Sequence, residues 1–126
     1  MKQLLPLILL TVSCNSMAEW IEYSTKPNGD VFFYDKARLE KNGNQINVWT
    51  RVRYKTSVMA ASSYQSLLRL DCYENSETVL QNTFYTDKDW KTPAMATNNY
   101  AKPKKLVSPE STTGQLINII CKDSRG

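Results

Sequence analysis

From Gln45 to Lys55 the chain alternates strictly. Ile46, Val48, Thr50, Val52 and Tyr54 fall on one side, and Asn47, Trp49, Arg51 and Arg53 on the other. Such a period of two predicts a β-strand with one face packed and one turned to water. The same rule places Tyr64, Ser66, Leu68, Leu70 and Cys72 on one side of a strand over 64–73, with Arg69 on the other. A further strand is expected over Thr78–Asp87, and a short edge strand beginning at Trp90. Upstream, 19–35 reads as strand, turn, strand, because "KPNG" joins a proline-set φ to an Asn-Gly pair that tolerates positive φ. A short extended piece follows Asp35, with a second Asn-Gly turn at Asn42 and Gly43. Residues 56–63 are small and read as a connection, "ENSE" at 74–77 as a turn, and Pro93–Val107 as a polar loop crossing the domain.

The period changes at the end. Thr113, Leu116, Ile117, Ile120 and Cys121 share one helical face. Ser108 is placed to cap that helix, with Pro109 at its first position and Glu110 at the positive end of its dipole. Gly114 within it costs about 1 kcal/mol relative to alanine. Cys72 ends the inward face of a strand and Cys121 the packed face of the helix. A bond between them staples helix to sheet. The fold class is therefore α+β: an antiparallel sheet of about five or six strands, with one C-terminal helix packed on one face and held by a disulfide.

The first residues change the picture of location. Lys2 followed by the apolar run Leu4–Val12 is too short to span a bilayer but suits a signal core. Ser16-Met17-Ala18 offers small residues where a signal peptidase needs them, which sets residues 1–18 as leader and 19–126 as a single domain. A competing site would make Cys14 the first, lipid-bearing residue. That signal wants an aliphatic side chain three positions earlier, where Thr11 stands. The first reading gives an exported periplasmic or secreted protein. The second gives a lipid-anchored outer-membrane protein, and it is the only one that ties the chain to a membrane. With Cys14 removed two cysteines remain, and an even count in an exported chain points to a disulfide. Two buried thiols are the alternative; two cysteines without histidine make a poor zinc site.

Composition narrows the chemistry. There is no histidine among 126 residues. Ser-His-Asp and Cys-His mechanisms and histidine-ligated metals are therefore excluded. The four glycines form no phosphate-cradling loop. Asp87 with Asp89, and Glu74 with Glu77, are close in sequence, but they sit in expected turns, where carboxylates serve turn geometry. The chain reads as a binding protein rather than an enzyme, with no cofactor and no metal. The formal charge of +4 is mild and argues against nucleic acid. Trp49, Arg51 and Arg53, joined by Arg69 from the next strand, would form an arginine–indole patch on the sheet face away from the helix, suited to carboxylates, sulfates or phosphates. A solvated sheet face is the plain alternative. Lys102, Lys104 and Lys105 in "KPKK" offer a second basic feature for an anionic glycan or an acidic protein segment.

Trp20 near the expected new terminus, Tyr34-Asp35, Gly43, Trp49, Cys72 and the closing Pro109, Ser111 and Cys121 come in an order that resembles the surface-adhesin protein E family. The resemblance covers the whole of 19–126. It implies an antiparallel sheet with a C-terminal helix and a non-enzymatic binding role at the bacterial surface. The namesake is a lipoprotein that binds host matrix and plasma proteins such as vitronectin and laminin. Two readings of function follow. One is an adhesin-like binder of host glycoproteins. The other is a soluble periplasmic accessory or inhibitor protein with an envelope partner. Lysozyme is a poor target for the latter, since both proteins are basic. An exposed edge strand would also allow two copies to pair.

Overall fold

The computed structural model describes residues 17–122, so Cys14 and all of the leader but Met17 and Ala18 lie outside the described residues. The strands are β1 (Trp20–Thr25), β2 (Val31–Asp35), β3 (Glu40–Asn42), β4 (Gln45–Val58), β5 (Ala61–Asp71), β6 (Ser76–Tyr85), β7 (Ala96–Asn98) and β8 (Lys105–Leu106), with a single 3-10 turn at Lys36–Arg38 and one α-helix, α1 (Thr112–Cys121), among the described residues. They form a single antiparallel sheet in the order β1-β2-β4-β5-β6-β7. The short strands β3 and β8 continue the sheet beside β4 and β6. Six strands make the main path and two short pieces are added to it, eight in all against the five or six expected.

The helix-side face is built in rungs fixed by strand register. Ile46, Leu70 and Glu77 form the first, and Val48, Leu68 and Val79 the second. Tyr34, Thr50, Ser66 and Asn82 form the third, and Phe32, Val52, Tyr64 and Phe84 the fourth. Helix α1 packs Leu116, Ile117, Ile120 and Cys121 into a core with Tyr34, Ile46, Val48, Leu68 and Leu70. The Cys72–Cys121 disulfide closes that end, with S–S 2.00 Å and Cα atoms 5.6 Å apart.

Four expectations need correction. The helix cap is Ser111, not Ser108: the Ser111 hydroxyl accepts the Gly114 N–H at 3.0 Å, while the Ser108 carbonyl accepts the Ser111 N–H in the preceding turn. The segment 93–107 is not wholly loop, because β7 and β8 pair with the free edge of β6. Trp90 starts no strand. It lies in a turn at φ 57°, in a loop where Asp87 accepts the N–H groups of Asp89, Lys91 and Thr92. Residues 56–63 are mostly strand, since β4 and β5 run on to a two-residue tip at Met59 and Ala60.

Candidate functional site

Length decides what the helix can cover. Ten helical residues reach about 15 Å, whereas a 14-residue strand reaches about 47 Å. The disulfide fixes α1 at the Cys72 end, so apart from Tyr34, which packs in the helix core, the third and fourth rungs are left open. They form the floor of a cleft of about 860 Å³, within the range of ligand sites.

The deeper floor is polar. The Thr50 hydroxyl donates to the Ser66 carbonyl at 3.3 Å, and the Ser66 hydroxyl donates to the Asn82 side-chain oxygen. Beyond it lies an aromatic row. Tyr54 and Tyr64 have ring centroids 5.6 Å apart, Tyr64 and Phe84 5.4 Å, and Tyr23 and Phe32 6.1 Å. Burial holds the Tyr23 and Tyr64 phenols well above the usual tyrosine range, and Glu77 adds to both shifts. These phenols stay protonated and available to donate.

Lys102, Lys105 and the helix start at Thr112 and Thr113 border the cleft. Glu77 lies at its inner end. Burial pushes the Glu77 carboxyl up, against Lys105 and a hydrogen bond from Thr113, which pull it down. The Lys105 ammonium stands 3.8 Å away and is 72% exposed. Glu77 belongs to β6, not to a turn, because the β5–β6 turn is Cys72–Asn75. Glu74 does sit in that turn and binds the Lys104 ammonium at 2.9 Å. Among the described residues no group of three or more histidine, cysteine, aspartate or glutamate side chains could hold a metal.

The opposite face carries the arginines. The Arg51 guanidinium lies 4.3 Å from the Trp20 ring centroid and 4.7 Å from that of Trp90. Its Nε donates to Gln65 Oε1 at 2.8 Å. Burial lowers the Arg51 pKa, against an opposing effect of Tyr85. Arg53 lies 5.4 Å from Phe33 and 5.2 Å from Trp90, and its Nη2 is 3.6 Å from Asp89 Oδ1. Trp49 pairs across to Leu67, and exposed Arg69 to Asn47.

The structure therefore separates the residues singled out in the sequence. Trp49, Arg51, Arg53 and Arg69 share one sheet face, while Lys102 and Lys105 border the cleft on the other. Trp20, Phe33 and Trp90 join the arginines from three other segments, contacts that strand alternation does not reveal. The aromatic floor was also missed, although Tyr54 and Tyr64 were placed on the packed face. The mismatch between helix and strand lengths is the signal that would have exposed it.

The family described as surface-adhesin protein E matches residues 20–122. Among solved structures, the chain is similar to crystal form II of Haemophilus influenzae protein E. The identity is 14% and the TM-score 0.70, covering 94% of this chain and 100% of that one. It is also similar to protein E from non-typeable Haemophilus influenzae, at 15% identity and TM-score 0.67, covering 94% and 85%. No curated protein matches the chain by sequence.

Proposed function

The chain belongs to the surface-adhesin protein E family, and from that premise we propose that it is an exported, non-enzymatic binding protein that takes an acidic segment of a host matrix or plasma glycoprotein in its open cleft. Family membership carries the adhesin-like surface role. The cleft supports the choice of site. Its aromatic floor offers flat apolar contact, its phenols donate, and the exposed cations Lys102 and Lys105 stand at its border. That combination suits an extended, negatively charged partner. The outer arginines suit it less, because Arg51 and Arg53 already lie against indole rings and polar partners. Processing after Ala18 belongs to the same proposal, with 19–126 as the working domain.

Binding to immobilised vitronectin and laminin, at low and high salt, tests this reading. Wild type binds and weakens with salt. K102A/K105A binds about tenfold more weakly, which corresponds to the loss of about 1.4 kcal/mol. R51A/R53A binds like wild type. A loss confined to R51A/R53A would move the site to the outer face. No binding to either protein would remove the host reading. A soluble periplasmic protein with an envelope partner would then be the account to pursue.

A further inference from the structure

The turn between β4 and β5 is built unlike the other three tight turns that join strands. At 26–30 and 42–44 a glycine takes the positive φ, Gly29 at 96° and Gly43 at 63°, and at 72–75 an asparagine does, Asn75 at 58°. The β4–β5 tip has no glycine. Met59 at φ 50° and Ala60 at φ 71° both occupy the left-handed region, where a Cβ crowds the following carbonyl. Asn-Gly is the relaxed choice for such a turn. The strain falls beside an apolar side chain that packs on nothing: Met59 is 92% exposed, and neighbouring Val58 is 48% exposed.

Strand pairing makes this tip a finger. β2 accompanies β4 only as far as Arg53, and β6 accompanies β5 only as far as Ser63. Beyond them β4 bulges over 54–57 before Val58 pairs with Ala61, and the β5 arm adds only Ala61 and Ser62, both buried, so the exposed part is 55–60. The finger is braced at its neck. Ser57 and Ser62 hydroxyls bond at 2.7 Å, and Lys88 Nζ donates to the Tyr54 and Lys55 carbonyls at 2.7 and 2.9 Å. The Lys55 N–H donates to Asp30 Oδ1 at 2.9 Å.

The neck is basic. The turn at 26–30 and the loop at 86–92 lie at the same end of the sheet, so Lys26, Lys55, Lys88 and Lys91 gather there from three segments, with Lys26 over the Phe32 ring at 5.4 Å and Lys88 held by the neck carbonyls. Three aspartates share this end and keep their charge, so the four lysines and Arg53 leave a formal excess of two positive charges there. Asp30 accepts the Lys55 N–H, Asp87 accepts loop N–H groups, and Asp89 pairs with Arg53.

We propose that the β4–β5 finger is a membrane-touching element, dipping Met59 and Val58 into an anionic lipid surface while the neck lysines meet its headgroups. Lysines spread over three segments suit a broad charged surface better than a shaped pocket. Each lysine near such a surface is worth about fivefold in binding, and two apolar side chains add a modest gain. The contact is therefore reversible rather than an anchor. It rests on Met59, Val58 and the neck lysines, and not on Lys102 and Lys105.

The test uses the exported protein carrying Cys14→Ser, so that no acyl chain contributes. Sedimentation with vesicles of phosphatidylglycerol and phosphatidylethanolamine should show binding that salt weakens, with none to phosphatidylcholine alone. M59N/A60G supplies the turn with relaxed residues. It should raise Tm by about 4–8 °C and still bind at least tenfold more weakly. K55Q should lose about fivefold without a change in Tm. Met59→Ser, which keeps Ala60, should show the same loss if the double variant fails to fold. Absence of wild-type binding to anionic vesicles would overturn the proposal. So would undiminished binding by M59N/A60G or Met59→Ser.

Discussion

Asp35 shows how a single buried charge can organise a chain end. Its side chain is fully enclosed. Oδ1 accepts the Glu19 N–H at 2.9 Å and the Ala37 N–H at 3.1 Å, and Oδ2 pairs with Arg38. Burial pushes this carboxyl up, but the Glu19, Arg38 and Ala37 bonds together outweigh it, and the pKa falls below the ordinary 3.8. A depressed acid contributes stability that is present above its unfolded pKa and lost as pH falls through the folded one. D35N should therefore cost about 2–3 kcal/mol at neutral pH. The gap to wild type should begin to narrow below about pH 4 and be smaller at pH 3 than at pH 7, as read by urea denaturation. Cleavage after Ala18 would sharpen the effect. The Glu19 nitrogen would become an ammonium against this carboxylate, so the cleaved protein should lose stability above about pH 8 as that amine deprotonates. A variant with one extra residue before Glu19 should not lose it. The sequence showed Tyr34-Asp35 as a framework pair without showing why. Ala37 and Arg38 are local partners, but the link to Glu19 cannot be read from local pattern, because Glu19 lies 16 residues away, just ahead of edge strand β1.

At the scale of elements, period was more legible than boundary. Alternation placed the inward faces of β4 and β5 correctly, since every slip by one residue would expose Ile46, Val48, Leu68 and Leu70 together. The helix start was misplaced, because Ser108-Pro109-Glu110 has the composition of a cap and first turn. In the fold those residues pass beneath Gly114 instead. A Cβ there would lie 2.2 Å from the Ser108 carbonyl oxygen and 2.7 Å from that of Pro109. Glycine at 114 is thus a condition for close approach, not a tolerated helix defect. Helix propensity alone predicts that Gly114→Ala gains about 1 kcal/mol. The structure predicts the opposite sign. The backbone of 108–110 must move and the cap at Ser111 must loosen, a loss of about 2–4 kcal/mol. Thermal unfolding of this variant decides between them. A higher Tm would mean that the turn yields without penalty.

For the whole molecule, sheet, helix and staple were all legible in the sequence, and the open half of the sheet was not. The reason is geometric. Pattern tells which face of each strand is apolar, but not how far along it a covering element extends. Here a short helix, fixed at one end, leaves Phe32, Tyr54, Tyr64 and Phe84 to floor a cleft. The disulfide is what holds that division in place. It closes a loop of about 50 residues, which the chain-entropy account values at about 4 kcal/mol, as an upper figure. Net stability for a domain of this size is only about 5–15 kcal/mol. Cys72→Ala with Cys121→Ala should therefore lower stability by about 2–4 kcal/mol in urea. The loss should be structural as well. The core at the first two rungs is shared between α1 and the sheet, so an untethered helix exposes Ile46, Val48, Leu68 and Leu70. Hydrogen exchange should show α1 opening ahead of β4 and β5 in the reduced protein, and as one unit with them in the oxidised protein. Equal protection of α1 in both forms would mean that packing alone seats the helix, and that the cleft's boundary does not depend on the staple.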